Sequence, residues 1–161
     1  IEDRPAEAEG RTEVGHWEVD TVHGKGRGSI ATIVDRKTGY VLIGKLKART
    51  AAATNERLRK LMEKHPERFL TITADNGCEF HGYRDLEDAT SVEFYFANPY
   101  HSWERGTNEN TNGLIRQYLP KGCSMDDLSQ ARCNAIARKL NDRPRKRHGY
   151  RTPAELFEKS Y

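Results

Sequence analysis

Apolar and polar residues alternate from Gly15 to His23 (GHWEVDTVH), which predicts a strand with Trp17, Val19 and Thr21 on one face and His16, Glu18, Asp20 and Val22 on the other. Ser29 to Arg36 (SIATIVDR) and Tyr40 to Leu46 read as two further strands, joined by a Lys37-Thr38-Gly39 turn into an antiparallel meander. The GKGRG stretch between the first two reads as a flexible hairpin loop. Thr50 is placed to cap a helix reaching about Lys64, with Leu58, Leu61 and Met62 on its buried side and Pro66 beyond its end. Alternation returns in Phe69 to Asp75 (FLTITAD), where Leu70, Ile72 and Ala74 face one way and Thr71, Thr73 and Asp75 the other. Cys78 to Asp88 is ambiguous, with a short helix as one reading, and Val92 to Ala97 is a fifth short strand.

The last third is helical. In RGTNENTNGLIRQYLPKG, Arg105 to Gly122, five of the first eight residues are Asn or Thr, a poor helix opening. From Glu109 onward, helical spacing sets Asn112, Gly113 and Arg116 on the Glu109 side and Leu114, Ile115 and Tyr118 opposite, with Leu119 at the margin and Pro120 as the stop. A second helix is expected from an S-x-x-D box at Ser124 to Asp127 through about Leu140, and a short third one at Thr152-Pro153-Ala154-Glu155. The order β-β-β-α-β-(α)-β-α-α-α predicts an α/β domain.

A chain of 161 residues can bury one core, so residues 15–161 are expected to form one domain behind an acidic lead-in, residues 1–14. The first residue is Ile, so the chain reads as a fragment of a longer protein. No apolar run approaches a membrane span and no signal peptide is visible. Three cysteines without C-x-x-C spacing argue against a disulfide framework and a zinc module, and a reducing cytoplasm is the expected location. Net charge is +3, unevenly spread: residues 1–20 hold seven acids and two bases, whereas residues 132–151 hold eight Lys/Arg and one Asp. The basic segment, about 141–161, points to a polyanionic partner as readily as to a solvated tail.

Three acids are candidates for convergence: Asp20 within the first strand, Asp75 at the end of the fourth and Glu109 at a helix start. Hard divalent cations take oxygen ligands, and two such ions roughly 3.5 to 4 Å apart can activate a hydroxyl and stabilise the leaving oxygen of a phosphodiester. Taken singly, the acids also suit an edge strand, a turn before Asn76-Gly77 and a first helical turn.

Asp20 in WEVDTV, Asp75 in TADNGCEF and Glu109 in ERGTNENTNGLIRQYLPKG resemble, in order and spacing, the Asp, Asp, Glu triad of the retroviral-integrase-like catalytic core. Within that superfamily, NENTNGLIRQYLPKG and LNDRPRKRHGYRTPAELF resemble the insertion-sequence-thirty family of bacterial transposases. The resemblance implies a ribonuclease-H-like fold, a mixed five-stranded sheet of three antiparallel strands and two parallel additions flanked by helices. It implies two Mg²⁺ or Mn²⁺ ions held by Asp20, Asp75 and Glu109, cleavage of DNA at element ends, and attack of the exposed 3′-hydroxyl on target DNA. A homo-oligomer is implied for the active state, and the family's helix-turn-helix end-recognition segments are expected to be missing from this fragment.

Around the triad, Asn76, Asn108, Asn110 and Asn112 are short amides able to meet phosphate or base edges, and Arg105, Arg116 and Lys121 supply positive charge. Asn108 is as well suited to helix capping. Lys25 and Arg27 are further candidates for DNA. Glu18 is an auxiliary ligand or a decoy; Glu79 and Glu104 are similar decoys. Trp17 and Trp103 read as packing anchors, and His23 as a surface residue. The rival readings are a nuclease of the same fold without strand transfer and an idle DNA-binding or multimerisation module.

Overall fold

The computed structural model describes residues 4–75, 80–97 and 106–159. Five strands form one sheet: β1 (His16–His23), β2 (Ser29–Asp35), β3 (Val41–Lys45), β4 (Thr71–Ala74) and β5 (Glu93–Phe96), in the order β3-β2-β1-β4-β5. β1 pairs antiparallel with β2 and β2 with β3, while β4 joins β1, and β5 joins β4, in parallel. This is the predicted meander with two parallel additions.

Among the described residues six α-helices accompany it: α1 (Ala6–Glu9), α2 (Ala51–Met62), α3 (Tyr83–Thr90), α4 (Gly106–Ile115), α5 (Gln130–Asn141) and α6 (Pro153–Lys159). On one face of the sheet α2, α3 and α6 cover Trp17, Val19, Ile33, Ile72 and Phe94, using Leu58, Leu61, Leu86 and Phe157. Trp17 stacks on Phe69 with centroids 4.4 Å apart, and its indole N–H donates to the Arg68 carbonyl at 2.8 Å, so it is the packing anchor its place in the pattern predicts. On the other face α4 and α5 cover Val22, Ile30, Val34, Val41 and Ile43 with Ile115, Ile136 and Leu140.

β3 has a partner on one side only, and α5 supplies side chains to its bare edge. The Asn141 amide exchanges both of its hydrogen bonds with the Val41 backbone, at 2.8 and 2.9 Å. Gln130 does the same job farther along, accepting from Lys45 N at 2.8 Å and donating to the Ile43 carbonyl at 2.9 Å.

Thr50 caps α2 as expected, its hydroxyl accepting from Ala53 N at 3.2 Å. The ambiguous segment after β4 contains α3 in its described part. Four local expectations are corrected. Regular α4 ends at Ile115, and Arg116 to Leu119 form tighter turns in which Gln117 N and Tyr118 N donate three residues back. α5 starts at Gln130 with Ser129 as its cap, not at the Ser124 box, because Met125 is pulled into the core and only 1% exposed. Leu70 lies before β4 and is 41% exposed, its side chain set against Gly15. The GKGRG loop is not free: the Asp126 carboxylate accepts from Gly28 N at 2.6 Å and Arg27 N at 3.1 Å, and Arg49 donates to the carbonyls of Gly24, Gly26 and Gly28. A Cβ on Gly28 would lie 2.4 Å from the Met125 carbonyl carbon, so a glycine is required for this close approach.

Among the described residues no helix is long and apolar enough to cross a membrane.

Candidate active site

Period-two alternation puts Glu18 and Asp20 on the same face of β1, and the parallel register with β4 decides their neighbours. The last pair of that ladder is Glu18 with Thr73. Asp20 lies two residues beyond Glu18, still within β1, and Asp75 two beyond Thr73, just past the end of β4. Asp20 is half-buried; its Oδ1 accepts from Thr21 N at 2.8 Å and its Oδ2 from Asn112 Nδ2 at 3.1 Å. Asp75 directly follows β4 and is half-buried too.

α4 docks on this face through polar groups, which accounts for its poor opening. The buried Glu18 carboxylate accepts from the Asn108 backbone N–H at 3.0 Å, one of the first-turn donors that a helix cannot satisfy internally. Its other oxygen accepts from Arg36 Nη1 at 2.5 Å, and Arg36 Nε donates to the Ala8 carbonyl at 2.9 Å, tying in the acidic lead-in. Burial pushes the Glu18 carboxyl above the ordinary glutamate range, against the opposing pull of Arg36 and the Asn108 N–H. Farther along, Asn112 Oδ1 accepts from Thr32 Oγ1 at 3.2 Å while its amide holds Asp20. Of the residues that make NENTN a weak helix former, Asn108 and Asn112 are the ones that bond the sheet's polar stripe.

Glu109 lies in the first turn of α4 and is exposed. Among the described residues its carboxylate has no hydrogen-bond partner. Nor do they contain a ready cluster of three His, Cys, Asp or Glu side chains able to hold a metal ion. The chemistry of the donors nevertheless fits a hard cation: Asp20, Asp75 and Glu109 offer only carboxylate oxygen, each oxygen able to accept more than one partner.

The other predicted residues are dispersed. Arg116 donates to the carbonyls of His23 at 3.2 Å and Leu119 at 3.3 Å, bracing the end of α4 against the end of β1. His23 is exposed, as expected. Asn108 is fully buried and faces Thr32, while Asn110 is exposed. Lys25 and Arg27 are exposed on the pinned glycine loop, and Lys121 on the turn after α4. Asn76, Glu79, Trp103, Glu104 and Arg105 lie outside the described residues. Pattern reading missed the Glu18–Arg36 pair and the bridging role of Asn112. The signal available was a glutamate on a strand face about to be covered by a helix, where a charge must have a partner.

Comparison with known proteins bears on this arrangement. The integrase core domain family matches residues 11–102. The chain is 45% identical over 159 residues to the transposase for insertion sequence element IS4351 of Bacteroides fragilis, covering 98% of this chain and 49% of that protein. It is 39% identical over 160 residues to transposase InsI for insertion sequence element IS30A of Escherichia coli (strain K12), covering 99% of this chain and 42% of that protein. The chain thus spans about half the length of the curated relatives it matches. Among solved structures, the catalytic core domain of BIV integrase superposes with a TM-score of 0.69 at 21% identity, covering 91% of this chain and 95% of that one. A chain of the simian T-cell lymphotropic virus intasome, in complex with PP2A regulatory subunit B56 gamma, gives 0.71 at 20% identity, covering 90% of this chain and 54% of that one. The sheet order and these superpositions make the fold ribonuclease-H-like. On sequence and architecture together, the chain belongs to the integrase core domain family, with the insertion-sequence-thirty transposases as its near relatives.

Proposed function

We propose that this chain is the catalytic core of a DNA transposase, a polynucleotidyl transferase that cuts DNA at element ends and joins the exposed 3′-hydroxyl to target DNA. The observation that supports the reading is the parallel β1–β4 register, whose last pair, Glu18 with Thr73, lies two residues before Asp20 and Asp75, together with the Asn112 bond that ties Asp20 to the helix bearing Glu109. Family membership and the transposase relatives support it.

In this reading Asp20, Asp75 and Glu109 hold Mg²⁺ or Mn²⁺, two ions being the number that phosphodiester chemistry uses. The bound cations supply activation of the attacking oxygen and neutralisation of the leaving one. The chain's own residues do the positioning. Asn112 and the Thr21 N–H orient the Asp20 carboxylate, Glu18 anchors the first turn of α4, and Arg116 fixes its far end, so that Glu109 is presented from a braced helix. Arg105, Lys121, Lys25, Arg27 and Asn76 are assigned to DNA. The active form is a homo-oligomer, since joining two element ends requires two sites, and it works in the bacterial cytoplasm.

The test is joining of a labelled, pre-cleaved duplex end to a plasmid by the full-length protein with Mg²⁺ or Mn²⁺. Asp20→Asn, Asp75→Asn and Glu109→Gln are each expected to abolish both joining and metal-dependent nicking. Nicking that survives Asp20→Asn would overturn the site; nicking without any joining would favour the nuclease.

A further inference from the structure

A cavity of about 430 Å³ lies on the flank of α4 formed by Thr107, Asn110 and Thr111. Arg11 from the lead-in, Thr38 and Gly39 from the β2–β3 turn, and Arg145, Lys146 and Arg147 from the basic segment line the rest of it, and among the described residues no carboxylate does. Four cations around one cavity repel one another. Burial, then the neighbouring Arg143 and Arg147, hold the half-buried Arg145 guanidinium below its ordinary value.

The nearby acids are already committed. Glu18 is bonded to Arg36 and to Asn108 N, and Asp35 accepts from Gly15 N at 2.9 Å and from both the N–H and the hydroxyl of Thr38 at 2.8 Å. The Arg145 Nε–H is buried with no acceptor among the described residues. The basic segment is also tied to the β2–β3 turn. His148 Nε2 bonds the Thr38 carbonyl at 2.9 Å, and Arg147 lies so close to the turn that a Cβ on Gly39 would come within 2.9 Å of its Nη2.

We infer that this cavity seats a backbone phosphate of DNA, a grip separate from the three carboxylates. The inference rests on the proposed DNA reading. Asn110, which lines the cavity, directly follows Glu109 on α4, about 100° round the helix, so the proposed path of a strand past Glu109 runs toward the cavity. Cations that contact phosphate, with short polar side chains beside them, hold the strand without reading its sequence.

The test is anisotropy of a fluorescent duplex titrated with the 161-residue chain across a salt series. Lys146 and Arg147 are both exposed, so Lys146→Gln/Arg147→Gln is expected to keep the wild-type melting curve. It should weaken binding roughly tenfold and reduce the slope of log K against log salt by about 1 to 2. Asn110→Lys is expected to steepen that slope and Asn110→Glu to flatten it. Lys60→Gln, on α2 across the sheet, serves as the neutral control. If the double variant binds with the affinity and salt slope of Lys60→Gln, or the wild-type chain binds no duplex, the cavity is not a phosphate seat. Asp20→Asn separates the two readings: nicking that survives it overturns the carboxylate site and leaves the binding data standing, whereas an unchanged double variant removes the cavity alone.

Discussion

Replacing Arg36 by Met tests whether the floor beneath α4 depends on charge pairing. Arg36 is 2% exposed and Glu18 fully buried, with 2.5 Å between Nη1 and Oε2, so the substitution leaves a carboxylate without its cation in the interior. Breaking such a pair from one side costs about 3 to 5 kcal/mol. Loss of the bond from Nε to the Ala8 carbonyl adds about 1 kcal/mol, and for a domain of this size the total lowers the melting temperature by roughly 8 to 24 °C. The sign with pH follows from burial, which already raises the Glu18 carboxyl and does so further once Arg36 is gone. A raised carboxyl holds its proton in the folded state when the unfolded chain has lost it. Its contribution to stability is therefore full below the unfolded value of about 4.5 and lost as pH rises through the folded value. Urea melts of wild type and Arg36→Met should show a large gap near neutrality that narrows on acidification, and Glu18→Gln/Arg36→Met should recover most of the loss. A penalty under about 1 kcal/mol, or one unchanged between roughly pH 5 and pH 8, would refute the reasoning.

Three shorter tests address the rest of the site. Asn112→Ala removes the amide that holds Asp20 to Thr32 and should lower metal-dependent nicking about 10- to 100-fold with duplex binding retained; nicking at the wild-type rate would show that Asp20 orients itself. Asp126→Ala releases the backbone of Arg27 and Gly28, so limited trypsin digestion should cut after Lys25 or Arg27 sooner than in wild type; an unchanged digestion pattern would mean that Arg49 suffices. Burial pushes the Cys133 thiol up to about 11, so it stays protonated through mildly alkaline pH. In a Cys78→Ser background the exposed Cys123 should react rapidly with a thiol reagent and Cys133 only after unfolding, and two fast thiols would contradict that packing.

Strand and helix alternation was legible in the chain because each element buries one face, and a buried face leaves a period of two or 3.6 residues in the sequence. The same alternation put Asp20 on the polar side of β1 and Asp75 at the end of β4, and the wording around Glu109 supplied the third acid. What pattern could not decide is which groups answer one another across the fold. Glu18 reads as a spare acid until α4 is laid over it, and Ser124 reads as a helix cap until Met125 is drawn into the core. Arg11, Thr38, Asn110 and Arg145 to Arg147 meet around one cavity although the first and last are separated by most of the chain. Periodicity reports only that a face is buried, whereas pairing a charge with its partner depends on the three-dimensional approach of distant segments. Only the tertiary structure decides that, because the cost of an unpaired buried charge is settled where the elements meet.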